Sequence, residues 1–220
     1  MTKPNSNKQK KQQNQKRNLT IALLGILGAI ILMMAFTPLG YLKIGTISIS
    51  FLMIPVAIGA IAMGPFAGAA LGGLFGITSF AQCFGMDAFG TFLLDVNPIF
   101  TFVVCILARA LAGFLTGLIS DALKKIFVQK KKPIAYALTG LSAALLNTIL
   151  FVGSLLLFFW NNTEFIAKMG EWGFNTATIF KFFAAFVGIN ALVEAGAALF
   201  VTCAIATALK SAGLIDQGEQ

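Results

Sequence analysis

Few side chains in this 220-residue sequence could do chemistry, and the most informative is Arg109, set in the apolar run 98–123. At 1.5 Å per residue it lies about 17 Å along a helix entering from outside, near the mid-plane, where an arginine is costly and needs a partner. The same arithmetic puts Asn147 about 20 Å along the fifth apolar run and Asn190 about 21 Å along the sixth, at comparable depth. Glu194 follows one turn deeper. Two readings stand: a structural Arg109–Glu194 ion pair, or a site where the planar guanidinium fork receives a substrate carboxylate.

Catalysis finds little support. There is no His, and Cys83, Cys105 and Cys203 lack the C-x-x-C spacing of a metal or redox pair and are read as packing residues. No glycine-rich phosphate loop, nucleophile elbow or close carboxylate pair within a span is present. An enzyme is therefore not expected, and neither a cofactor nor a metal.

These polar residues need a scaffold, and composition says which kind. Hydrophobic residues make up 58% of the chain and charged ones 11%, which excludes a soluble globular domain. Several apolar runs reach the roughly 20 residues that cross a bilayer core of about 30 Å. The expected class is all-α integral membrane, with six transmembrane helices and no room for a built-in ATPase. The net charge of +8 belongs to segments flanking spans and needs no nucleic acid.

Residues 1–18 are expected to form a disordered basic cytoplasmic tail, 19–209 a six-helix membrane domain, and 210–220 a cytoplasmic C-terminal tail. The run 19–36 lacks a small-residue cleavage site and reads as a retained first helix. The run 47–81 would make one helix about 52 Å long, so Gly64-Pro65 is expected to divide it into two. That division puts Lys124, Lys125, Lys130, Lys131 and Lys132 on the same face as the N-terminal tail. The remaining helices are expected at 98–123, 134–160 and 176–209. Both termini then lie inside, with twelve of the sixteen Lys/Arg residues: six in the tail, five in the inner loop, and Lys210.

Gly64, Gly68, Gly72 and Gly76 stand four apart, a small-residue stripe that lets another helix approach closely. Gly25 and Ala29 repeat that spacing in the first helix, beside Ala22, on a face suited to a neighbour within the bundle or a partner protein. Asn97-Pro98 suits a helix start, with Asn as cap and Pro in the first turn. The outer loops offer Tyr41, Lys43, Asp87, Phe89, Phe92 and Asp95 as a lid over an outward-facing pocket, and Lys181 either snorkels or adds positive charge above it.

The stretches TPLGYLKIGTISISFLMIPVAIGAIAMGPFAGAALGGLFGITSF and DAFGTFLLDVNPIFTFVVCILARALAGFLTGLISDALKK resemble the substrate-specificity (S) components of energy-coupling-factor (ECF) vitamin transporters. The likeness spans about residues 19–209. The Asn-Pro opening of the fourth helix, its arginine and Asn147-Thr148 look most similar to the pantothenate-type group, with folate and pyridoxine or hydroxymethylpyrimidine subunits close behind.

The resemblance implies a high-affinity binding subunit of an ABC-type importer in a bacterial cytoplasmic membrane. Its partners would be a transmembrane coupling protein and two cytoplasmic ATPases. Arg109, Asn97, Asn147 and Asn190 would make the polar contacts to the vitamin, Phe89 and Tyr41 the apolar lids. Ala22, Gly25 and Ala29 would form the docking face. A stand-alone secondary carrier titrating on Glu194 and a scaffold without a small-molecule ligand are the rival readings.

Overall fold

The computed structural model describes residues 6–44, 47–127, 132–171 and 176–215; the side chains of 6–9, 11–12, 16, 42–49, 168–169, 171 and 176–191 are outside the described set. Its elements are α1 (Ser6–Ala35), a hairpin of β1 (Tyr41–Ile44) and β2 (Ile47–Ser50), α2 (Met53–Met63), α3 (Pro65–Gln82), α4 (Ala88–Val96) and α5 (Pro98–Phe102). A π-helical turn (Val103–Leu107), α6 (Ala108–Ile126), α7 (Lys132–Phe159), α8 (Thr163–Glu171) and α9 (Thr176–Ser211) follow.

Helix α1 begins thirteen residues earlier than its apolar run. Between Ser6 and Leu19 there is no Gly or Pro, and Lys, Gln and Arg are good helix formers, so a helix nucleated in the apolar segment propagates back through the basic one. The segment expected to be disordered is helical from Ser6 onward. At the other end, α9 stops at a glycine in the left-handed region. Gly213 has φ 69°, and the Leu214 N–H donates to the Leu209 carbonyl at 2.9 Å. The chain then folds back rather than trailing off, burying Ile215 against Ile61, Tyr136 and Ala206.

Among the described residues, four helical stretches are long and apolar enough to cross a membrane: Gln13–Ala35, Pro98–Ile126, Lys132–Phe159 and Leu192–Ser211. Of the six expected spans, the second differs most from expectation. Helix α2 has 11 residues, about 16 Å, roughly half the hydrocarbon thickness. Residues Met53 to Ile61 are all buried, so α2 forms the apolar axis of the bundle, with α1, α3, α6, α7 and α9 around it. It is short because the start of the apolar run 47–81 goes into β2. The alternation Ile47-Ser48-Ile49-Ser50 has the two-residue period of a strand, and it pairs antiparallel with β1 in the register Tyr41↔Ser50.

Gly64 and Pro65 divide the run as expected. Gly64 takes φ 88°, a conformation closed to most L-residues, and Pro65 opens α3. Lys124 Nζ, from the last turn of α6, donates to the Ile61 carbonyl near the end of α2. The Gly64-Pro65 turn therefore shares one end of the bundle with the basic end of α6, the start of α7 and the end of α9.

The glycine stripe of α3 is filled from within the chain. A Cβ on Gly68 would overlap the Gly113 carbonyl oxygen, one on Gly72 the Arg109 carbonyl oxygen, and one on Gly76 would lie 2.6 Å from the Ile106 Cα. Gly117 meets Pro65 in the same way. Backbone rests on backbone along the whole α3–α6 crossing. Gly140 repeats the device between α7 and α9, against the Ala198 carbonyl.

Substituting Gly113→Val should cost about 2–3 kcal/mol or more, because the obstructing atoms are main chain and cannot rotate away. Gly153→Ala, with nothing within 4 Å of the added carbon, should be neutral. Thermal unfolding of the detergent-solubilised variants measures the contrast, and equal midpoints would mean that the crossing is not tight.

Candidate functional site

The sharpest local irregularity in the fold lies next to Arg109. The helix opened by Pro98 widens into a π-turn at Val103–Leu107 and resumes at Ala108. Such a turn shifts the hydrogen-bond ladder by one residue and frees carbonyl acceptors on one face. Arg109 Nη1 takes two of these, donating to the Val104 carbonyl at 3.3 Å and the Cys105 carbonyl at 3.1 Å.

The guanidinium carbon sits 4.9 Å from the Phe75 ring centroid and 4.7 Å from that of Phe151. Two aromatic faces thus stabilise the buried cation, each by about 0.5–2 kcal/mol. Its Nε is fully enclosed and makes no hydrogen bond.

The expected ion pair is absent: among the described residues, no carboxylate lies within ion-pair distance of Arg109. Glu194 Oε1 instead accepts from the Ser50 backbone N–H at 2.8 Å, tying α9 to the hairpin. The charge of Arg109 still reaches both Glu194 and Tyr41. Tyr41 stands opposite Ser50 in the hairpin register, and its hydroxyl oxygen is enclosed without a hydrogen-bond partner. Gln82 Nε2 donates to the Ala35 carbonyl, so the end of α3 braces the end of α1 from which the hairpin departs.

The hairpin, α3, α6, α7 and α9 therefore contribute to one buried polar region, the chamber around Arg109. Along the 29-residue helical stretch Pro98–Ile126, Arg109 lies in the half nearer Pro98. It lies close to the middle of that stretch, slightly toward the hairpin end of the bundle and about 17 Å from Pro98.

Of the other expected site residues, Asn147 is buried one turn from Phe151 on α7, and its Oδ1 has no partner. Asn190 lies in α9, and its side chain, like that of Lys181, is outside the described residues. Lys43 is likewise outside them. Asn97 has another task, because its Oδ1 caps α5 by accepting from the Phe100 N–H at 3.0 Å. Phe89 packs in a second apolar cluster with Phe92, Phe100, Phe159 and Phe165, which Phe151 joins to the chamber. Asp87 caps α4, with Oδ2 accepting from the Gly90 N–H at 2.7 Å.

Phe75, Phe151, Ser50 and Gln82 enter the site without having been expected there. Phe151 was within reach of helical periodicity, four residues from Asn147 on the same face. Ser50 contributes a backbone amide, for which no side-chain pattern exists. The cysteines are free, with the Sγ atoms of Cys83 and Cys105 3.9 Å apart in the core.

A chamber combining a buried cation, aromatic walls and unpartnered polar atoms inside a helical membrane bundle is equipped to hold a small polar solute. The family model of ECF transporter substrate-specific components matches residues 19–206. The chain belongs to this family. No curated protein matches it. This ECF substrate-specific component is thus a multi-pass membrane subunit for transport and not an enzyme.

Ala22, Gly25 and Ala29, the expected docking residues, all lie on the outer side of α1, and a Cβ on Gly25 would have nothing within 4 Å. Leu27, Ile31 and Ala35 face the core instead.

Burial, opposed first by the Arg109 charge and then by Gln82 and Ser50 nearby, pushes the Tyr41 phenol above its ordinary 10.0. Tyr41 therefore contributes stability that is fully present below pH 10.0 and is lost as pH rises toward the folded-state value. Alkaline ultraviolet titration of the wild type minus Tyr41→Phe isolates this group, since the chain has only 2 tyrosines. The difference midpoint should exceed 10.0; one at or below it contradicts the enclosed hydroxyl.

Proposed function

We propose that this subunit binds a carboxylate-bearing vitamin, most specifically pantothenate, in the Arg109 chamber, and hands it inward after docking on an ECF coupling protein powered by two cytoplasmic ATPases. The carrying observation is that Arg109 has no counter-charge among the described residues: a buried guanidinium whose Nη1 donates to two carbonyls, with an enclosed, partnerless Nε. An arginine buried in a membrane bundle needs neutralisation, and a ligand carboxylate supplies it in the bidentate geometry the fork favours. Pantothenate adds an amide and two hydroxyls for Asn147, Asn190, Tyr41 and Asn97, with Phe89 in the lid.

In this reading six helical segments, the short buried α2 counted apart from α3, lie in a bacterial cytoplasmic membrane, with both termini and the Gly64-Pro65 turn inside. The clustering of Lys124 and the chain's C-terminal segment at one end supports that orientation. The outward small face of α1, at Ala22, Gly25 and Ala29, fits close contact with a helix of the coupling protein.

A second reading, hydroxymethylpyrimidine or pyridoxine as ligand, draws on the carboxylate of Glu194 and the rings of Phe75 and Phe151. A flat heterocycle with hydrogen-bond donors suits those groups.

Equilibrium binding of labelled pantothenate, folate, pyridoxine and hydroxymethylpyrimidine to the purified protein, without ATPases, should give saturable binding of pantothenate. Arg109→Ala should weaken it by about 100-fold or more, the loss of a charge-assisted bidentate contact. Unchanged affinity in a folded Arg109→Ala variant would confine the arginine to a structural role. Ala29→Leu should leave binding intact yet abolish uptake and co-purification with the coupling protein. Uptake that persists without the ATPases and is lost in Glu194→Gln would point instead to a stand-alone carrier.

A further inference from the structure

The chamber's unpartnered polar atoms are of two kinds. Arg109 Nε is a donor and the Tyr41 hydroxyl can be one, while Asn147 Oδ1 is an acceptor. Glu194 adds a second acceptor: Oε1 receives the Ser50 N–H, and among the described residues no other hydrogen bond reaches its carboxylate. Arg109 and Asn147 are each 8% exposed and Glu194 7%, so bulk water cannot freely satisfy them. A buried acceptor left unmade carries a penalty that a ligand donor relieves.

The two acceptors are neighbours by helix geometry. Gly140 packs on Ala198, while Tyr136 clusters with Ala206, so α7 and α9 run antiparallel. Counting up α7 and back along α9 from the Gly140–Ala198 contact brings Asn147 and Glu194 to within about one helical turn of each other. The Phe151 ring, one turn above Asn147, covers the Arg109 guanidinium. The site thus combines a cation and a phenol with two acceptors.

We propose that Glu194, together with Asn147, determines specificity by accepting a hydrogen bond from a hydroxyl of the ligand, beside the acidic or acceptor group held by Arg109 and Tyr41. This rests on the Arg109 chamber being the vitamin site. It narrows the ligand class to molecules carrying an acceptor group and a donor within one small framework. Anions that offer only acceptors are excluded, since their charge would face the Glu194 carboxylate.

The test is equilibrium binding to the full chain in detergent. Pantothenate, pyridoxine and hydroxymethylpyrimidine are each compared with analogues in which one hydroxyl at a time is replaced by hydrogen. For the compound that binds, one such deletion should weaken wild-type binding about tenfold or more, the range for a hydrogen bond to a charged group. In Glu194→Gln that penalty should shrink to about threefold or less, because the charge assistance is gone.

Hydroxyl deletions that are all tolerated by the wild type overturn the proposal, as does a penalty that persists undiminished in Glu194→Gln, which would leave Glu194 as a tether for the hairpin alone. Should Glu194→Gln fail to fold, Glu194→Asp draws the carboxylate back by one carbon and must reduce the same penalty. Binding of none of the three compounds by folded wild-type protein would overturn the vitamin-site reading and this inference together, a result distinct from binding without hydroxyl discrimination.

Discussion

Everything in the chamber depends on the backbone-to-backbone crossing of α3 and α6. Gly72 lies against the Arg109 carbonyl itself, where any side chain on α3 would push the arginine's main chain away. With Gly68 on Gly113 and Gly76 on Ile106, main chain meets main chain at repeated points from the Gly64-Pro65 turn to the π-turn. Packing this close maximises dispersion contacts where the lipid offers no hydrophobic gradient to drive helix association. It also fixes the main chain of α6 at residue 109, so the guanidinium swings clear of α3's glycine face to lie between Phe75 and Phe151.

The resulting electrostatics are unusual for a buried arginine. A carboxylate partner would have quenched the charge and taken up the guanidinium fork. Here the charge is stabilised by weaker means: two ring faces and two carbonyls released by the π-turn. Each can coexist with a ligand, because none occupies Nε. Glu194, whose carboxyl the Arg109 charge reaches, is held instead by a backbone amide of the hairpin. A cation and a carboxyl group that do not pair with each other give the site a polarity that a matching ligand can enter at little reorganisation cost.

Much of this was legible in the sequence, and the omissions have physical causes. Arg109 stood out because an arginine in an apolar run is costly wherever the run folds. The Gly64-Pro65 division followed from length and from the special backbone demands of those two residues. The glycine stripe announced a close helix contact, though spacing alone could not say whether the other helix belonged to this chain. The π-turn was invisible because Val103 to Leu107 are ordinary helix residues, and the ladder shifts only in response to tertiary packing. The hairpin was missed because Ile47-Ser48-Ile49-Ser50 is short and borders a longer apolar run that reads as helix. The Arg109–Glu194 pair failed for a related reason: the competing donor was the backbone of that unrecognised strand.

The hairpin ties the end of the bundle to Glu194. Tyr41 and Ser50 are a cross-strand pair, one closing the chamber with its side chain and the other engaging Glu194 through its amide. A movement of this pair away from the bundle would withdraw both groups at once. The base of the hairpin is braced by Gln82 on Ala35 and by the Phe51 N–H donating to the Gly40 carbonyl at 3.0 Å. Displacement would therefore pivot above those contacts and leave the α3–α6 crossing intact. A tether made of one hydrogen bond to a charged group is worth only about 1.5–3 kcal/mol, small beside the packing beneath it. Loss of that one hydrogen bond would leave the α3–α6 scaffold that holds Arg109 in place.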